Sequence, residues 1–513
     1  MKLPQAKVRN RTAGRYCYNL LIYYWIFPVA ILLYGLWGGG NTKGYVWWAL
    51  TASIACGVPL IASAKRPGTL AVIVTLSHVV YFPLAVILNL LPSTPGVYEQ
   101  PIWENTPEAM VLCAIGMIGF GAGIWGAKSV RFSPIRERDP ASLQSVKSPL
   151  LLALTAAILP YAVILFVNNS YFHTSASTNY GWSPEDTDHI AWTGYLEYVC
   201  YAGVFLLLLK WHESRKGRDL AFACAGVLLP LIVLLPSGSR DMALRGVVST
   251  LAVFTLAHIR VPWRRALLIV TAAGLCLWYL IIGTELYRNR IRYGGERADS
   301  FSDRAALVGS ALIAATPGLG SERTYDEQLQ MLGRRFADYV VPAMMVDYFP
   351  AVENYRGFEG VSTWIPYLLP HQLRPAAFQA DPRDGALLST RVGFKGGTLA
   401  IYNPTSDGSS PSMIIGDWYS RFGWLGVLLG MALCGWFLGV LDSWLLAGGV
   451  YRSICIGILV LPAIKLSHQS VFIWFIFFTR ALLITLVLGS IVYYTLRVFT
   501  PKVLRVKSVS NAE

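Results

Sequence analysis

The sequence predicts an all-α, polytopic membrane protein with about 12 transmembrane helices and one large external loop region. Three observations carry that expectation. Of 513 residues, 54% are hydrophobic and only 14% charged, with a mean hydropathy of +0.48. Apolar runs recur from Tyr18 to Val498, each near the roughly 20 residues a helix needs to cross a hydrocarbon core about 30 Å thick. Basic residues gather in alternate connections between the runs, as cytoplasmic loops do. A soluble domain carries about a quarter charged residues and cannot hide such runs, so that class is excluded. The whole chain, 1–513, reads as a single transmembrane domain.

In chain order, Met1-Lys2-Leu3-Pro4 and a basic stretch lead into an apolar run at 18–37 with no small-residue cleavage site after it. That pattern reads as an uncleaved first span. Further spans are expected at about 45–64, 70–91, 108–127, 149–167, 191–210, 220–236, 244–259 and 266–283. Pro28, Pro160 and Pro230 fall inside spans, where neighbouring helices satisfy the freed carbonyls. Residues 284–422 then interrupt the series, and spans at about 423–446, 450–467 and 472–497 complete it.

With the N-terminus inside, the inner connections hold 24 basic residues and the short outer loops two, Lys43 and Arg240. This bias places both termini in the cytoplasm and the 139 residues of 284–422 outside. It also accounts for the net charge of +14 without invoking a nucleic-acid partner. All eight cysteines lie in or beside apolar runs, so neither a disulfide framework nor a Cys-based zinc site is expected.

The outer segment contains Trp364, Tyr339, Tyr348 and Tyr367, and apolar stretches at 305–315 and 339–350 too short to span. Such stretches suit interfacial or re-entrant helices packed over the bundle rather than a disordered loop. It holds 15 acidic and 14 basic residues, and 13 of the bases are Arg, Lys395 being the exception. Arg grips phosphate in a planar, bidentate way. Arg288, Arg290 and Arg292 follow the ninth span at head-group level, where they bind phosphate or simply anchor the helix. Arg240, within Pro236-Ser237-Gly238-Ser239-Arg240-Asp241, breaks the positive-inside pattern; its loop suits an anion site or a tight hairpin with Arg240 paired to Asp241.

Arg480 lies inside the last span, a costly place for a charge. It is expected to serve function or to form an ion pair with Glu197 or Asp417, whereas Lys465 near a span end can snorkel. Acid or base candidates at the outer side are Glu285, Glu296, His371, Asp417 and His468. Asp186-Thr187-Asp188-His189 is a short acidic pair of the kind that binds metal but also arises by chance. No GxxxxGK[ST], GxSxG or HExxH occurs, which removes the usual nucleotide-hydrolase, serine-hydrolase and zinc-protease readings.

Four stretches resemble the Wzy-type oligosaccharide repeat-unit (O-antigen) polymerases of the bacterial inner membrane. They are Ser237-Gly-Ser-Arg-Asp241, Arg290-Ile-Arg-Tyr-Gly294, Trp364-Ile-Pro-Tyr-Leu-Leu-Pro370 with Arg374-Pro375, and Ser410 to Tyr419 leading into Phe422-Gly-Trp-Leu-Gly426. Arg480 also resembles a position where such polymerases carry Arg. The resemblance implies a GT-C-like glycosyltransferase with a periplasmic site. It would transfer the glycan of one undecaprenyl diphosphate to a hydroxyl of a second lipid-linked repeat unit, releasing undecaprenyl diphosphate.

On that reading Arg240, Arg290 and Arg480 grip diphosphate, with Arg288 and Arg292 in support. Asp417 or Glu285 is the base, with His371 and His468 behind, and Trp364, Tyr367, Tyr402 and Trp418 stack on sugars. Arginines that stabilise the leaving diphosphate reduce the need for a metal, so no cofactor is expected. Lipid-linked glycan donor and acceptor, membrane lipids and a chain-length regulator protein are the implied partners. The related O-antigen ligases share a large outer loop with Arg and His. A lipid-linked oligosaccharide flippase is a further alternative, although the two halves of this chain do not visibly repeat.

Overall fold

In the computed structural model, residues 24–37, 43–63, 69–90, 105–130, 214–234, 301–316, 339–359 and 413–445 are described throughout, and parts of 203–211, 279–290, 361–399 and 455–490. The spans expected at 149–167 and 244–259 lie outside the described residues, as do most of those at 191–210 and 266–283. Among the described residues the regular structure is helical but for two two-residue antiparallel strands, β1 Phe394–Lys395 and β2 Thr398–Leu399.

The helices are α1 Ile26–Trp37, α2 Lys43–Cys56, α3 Val58–Ser63, α4 Thr69–Val79, α5 Ala85–Leu90, α6 Thr106–Ala127, α7 Gly217–Leu234, α8 Phe301–Ala315, α9 Val340–Tyr348, α10 Trp364–Leu368 and α11 Ile414–Leu445. Among the described residues, four stretches are long and apolar enough to cross a membrane: Gly44–Ala62, Leu70–Leu90, Thr106–Ala127 and Ile414–Leu445. Two of them are uneven where proline withdraws a backbone donor. Pro59 has no N–H for the Ala55 carbonyl, and the α2–α3 junction tightens to a Gly57 N–H to Ile54 O bond of 2.9 Å. Pro83 lies in a π-helical turn, Val80–Leu84, between α4 and α5.

The core of the described bundle is the pairing of α6 with α11. The contacts advance together, Gly116 beside Val427, Gly123 beside Ala432, Gly439 beside Ile124, so the two helices run in the same direction. Their glycines permit the approach: a Cβ at Gly119, Gly123 or Gly435 would collide with the backbone of Leu428, Ala432 or Phe120. Small residues bring helices together in lipid because apolar burial gives no preference for a helix over a lipid tail.

Helix ends are tied by polar groups. Both carboxylate oxygens of the buried Asp442 accept the Leu70 and Ala71 N–H groups at 3.1 Å each, satisfying donors that the first turn of α4 leaves open. At the other end of that span, Tyr34 donates its hydroxyl to the Leu90 carbonyl at 2.9 Å. Asn105, just before α6, donates to the Asp347 carboxylate of α9.

Helix α8 packs against residues 279–290 in antiparallel fashion, as Thr316 bonds Tyr279 and Ser310 bonds Arg290. The described residues of that strip are helical as far as Arg290, beyond the end expected at 283. The apolar stretches at 305–315 and 339–350 form α8 and α9, both shorter than a span.

Helix α11 departs from a simple span beginning at 423. It starts at Ile414 and turns sharply at Gly423, whose φ of 65° and ψ of −154° are not helical. Ile415 and Val427 therefore both flank Gly116, and the Trp418 ring lies across Gly430. The chain makes a short helix, 414–422, folded back on the long helix that follows it.

Candidate functional site

The folded-back helix organises the site. Its last carbonyls have no helical partner beyond Gly423, and a loop supplies one: Arg356 N–H donates to Ser420 O and Gly357 N–H to Arg421 O, each at 2.9 Å. Aromatic rings hold the same loop. Tyr355 meets Tyr419 edge-on at 5.9 Å and Phe358 meets Phe422 at 5.1 Å, while the Tyr419 hydroxyl donates to Phe349 O at 3.1 Å.

Asp417 sits in the first turn of this helix at 0% exposure. Its Oδ1 accepts from Arg421 Nε at 3.1 Å and lies 3.5 Å from Arg356 Nη1. Its Oδ2 accepts the Val471 N–H at 2.9 Å. Because Trp474 N–H bonds back to Ser470 O, Val471 opens the last helix, and a carboxylate there meets the positive end of the helix dipole.

Arg421 is 2% exposed and continues the network, donating Nη1 to Gly357 O at 3.2 Å and Glu359 O at 2.8 Å. Arg356, its side chain 4% exposed, also reaches Glu359 Oε2 at 3.4 Å. Among the described residues two guanidinium groups thus face two carboxylates, so their formal charges balance. Its arginines are spent on Asp417, Glu359 and loop carbonyls, which suits a fastening rather than a free anion site.

Arg480 stands in the last helix, nine residues beyond Val471, and donates Nη2 to Leu369 O at 3.4 Å. Leu369 directly follows α10, which carries Trp364 and Tyr367. The expected phosphate-gripping Arg480 and the expected aromatic segment are therefore neighbours. Arg290 donates Nη1 to Ser310 Oγ of α8 at 2.9 Å. Trp418 is partly buried, tilted against Phe422 at 6.2 Å, and its ring occupies the gap left by Gly430.

Arg240, Arg288, Arg292, Glu285, Glu296, His371, His468, Tyr402, Glu197 and the Asp186-Thr187-Asp188-His189 stretch lie outside the described residues. Of the expected set, the structure gathers Asp417 and Trp418 on one short helix and Arg480 beside the 364–369 segment. Arg356 and Arg421 were not singled out from the sequence. The spacing of Asp417 and Arg421, four apart on a helix, is the signal that points to their pairing. Among the described residues no cluster of three His, Cys, Asp or Glu side chains is placed to hold a metal ion.

These features define an α-helical membrane protein with a buried ionic cluster between a folded-back helix, a loop and the last helix. No family model matches the chain, and no curated protein or solved structure does either.

Proposed function

We propose that the protein is a bacterial inner-membrane glycosyltransferase that polymerises undecaprenyl-diphosphate-linked oligosaccharide repeat units on the periplasmic side, with about 12 spans. The observation that carries this reading is Arg480, a cation within an apolar helix, beside a proline- and aromatic-rich segment. An intramembrane charge next to a segment whose sequence is rich in residues able to stack on sugars suits a lipid-linked glycan with a diphosphate. The end-to-end ties support the alternating topology: Leu70 with Asp442 joins two ends expected inside, and Asp417 with Val471 two expected outside.

In the reaction proposed, the acceptor hydroxyl attacks the anomeric carbon of the donor glycan and the bond to the diphosphate oxygen breaks. The hydroxyl proton passes to a base and undecaprenyl diphosphate leaves. Arg480, with Arg240 and Arg290 and supported by Arg288 and Arg292, stabilises the charge that develops on the diphosphate. With Asp417 enclosed between cations, the base falls to Glu285, His371 or His468.

Deletion of the gene, rescued by wild type or by Arg240→Ala and Arg480→Ala, tests the reading on a gel of surface glycan and lipid-linked intermediates. Collapse of a ladder to single repeats in the deletion, unrescued by either variant, is the expected result. Lipid-linked polymer accumulating without transfer would make the protein a ligase. Single repeats held on the cytoplasmic leaflet would make it a flippase.

A further inference from the structure

We propose that Asp417 is a positioning residue, a latch that joins the 356–359 loop and the folded-back helix to the first turn of the last helix and thereby sets where Arg480 stands. The geometry leads there in three steps. Both Asp417 oxygens are committed, Oδ1 to Arg421 and Arg356 and Oδ2 to the Val471 N–H. Arg421 carries the connection outward by holding the carbonyls of Gly357 and Glu359, which belong to a loop 58 to 60 residues away from Asp417. The helix that Asp417 fastens at Val471 bears Arg480, whose own guanidinium reaches Leu369 O.

One carboxylate therefore couples the outer loop to the helix carrying the arginine. Removing its charge leaves Arg421 and Arg356 facing each other in a buried site. An amide in its place offers one acceptor oxygen where the carboxylate offers two, so Arg421 and the Val471 N–H compete for it and the first N–H of the last helix is held less well.

The consequence for catalysis rests on the proposed role of Arg480, whereas the latch itself is open to measurement without any activity. Hydrogen exchange followed by mass spectrometry on the full chain in detergent reports on the peptide containing Val471. With Asp417→Asn, exchange there is expected to quicken by roughly tenfold to a hundredfold, the loss of a hydrogen bond to a charged group. Arg421→Lys keeps the charge but cannot hold the Gly357 and Glu359 carbonyls together. It is expected to quicken exchange in the 356–359 peptide and serves if Asp417→Asn does not fold. Unchanged exchange at both peptides in a folded variant would overturn the latch.

The second readout is polymerisation of lipid-linked repeats in vesicles by Asp417→Asn, Arg480→Ala and the double variant. A residue acting through Arg480 adds little to Arg480→Ala, and the acid limb of the pH profile persists in Asp417→Asn. Multiplying losses, or disappearance of that limb, would make Asp417 the base and overturn the positioning role. Faster exchange in an enzyme that polymerises nothing even as wild type would keep the latch and reject the proposed function instead.

Discussion

Arg480 is the side chain on which the proposed chemistry turns, and its surroundings set what substitution does. Its guanidinium shares space with Leu369 O and the segment after α10. Arg480→Ala is expected to lower the rate of polymer formation about a hundredfold to a thousandfold, as removal of one preorganised donor does. Arg480→Lys keeps the charge without the planar fork and should fall between the two. The check is the rate in vesicles at equal protein content, and a fully active Lys variant would reduce Arg480 to a general counter-charge. Legibility at this scale was uneven. Arg480 was conspicuous because an apolar run surrounds it, whereas Arg356 and Arg421 were two among 13 arginines of a mixed-charge segment. Asp417 was conspicuous too, but as an outer acid beside a span; its i,i+4 spacing to Arg421 is a local signal, whereas its contacts with Arg356 and with the Val471 N–H, 54 residues on, come only from the fold.

At the scale of elements, glycine decides two features. Gly123 lets α6 and α11 touch through their backbones, and Gly423 makes the turn that folds 414–422 back. Gly123→Val drives a side chain into the Ala432 carbonyl, and we expect a cost of about 1–3 kcal/mol from overpacking. Gly423→Ala meets both a positive φ and the Tyr355 ring, 2.9 Å from where the Cβ would stand. Its backbone, in a region essentially reserved for glycine, alone costs roughly 1–3 kcal/mol. Gly309 of α8 faces open space, so Gly309→Ala should stabilise by roughly 0.5–1 kcal/mol. Thermal unfolding in detergent, read for the three variants side by side, separates packing from propensity. The apolar lengths of α4 to α6 were legible because lipid imposes a simple length rule. The folded-back start of α11 was not, because a run rich in Trp, Tyr and Phe satisfies that rule whether it continues straight or turns at Gly423.

For the whole molecule, charge asymmetry and hydropathy together propose the orientation, and labelling tests it. In a background lacking the eight native cysteines, Phe358→Cys, which is 78% exposed, should react with an impermeant maleimide in intact cells. Lys216→Cys, exposed beside α7, should react only after the membrane is opened. The reverse pattern would invert the proposed orientation and contradict the proposed periplasmic site. The proposed function rests on four short motifs and the topology, since chemistry depends on side chains brought together from distant segments that a sequence does not place. The most direct test of the central claim is reconstitution of the purified full chain in vesicles with undecaprenyl-diphosphate-linked repeat units as both donor and acceptor. A ladder of lengthening glycan with undecaprenyl diphosphate released, one per linkage formed, is the predicted result. Repeat units that stay single in the presence of well-folded protein would contradict it.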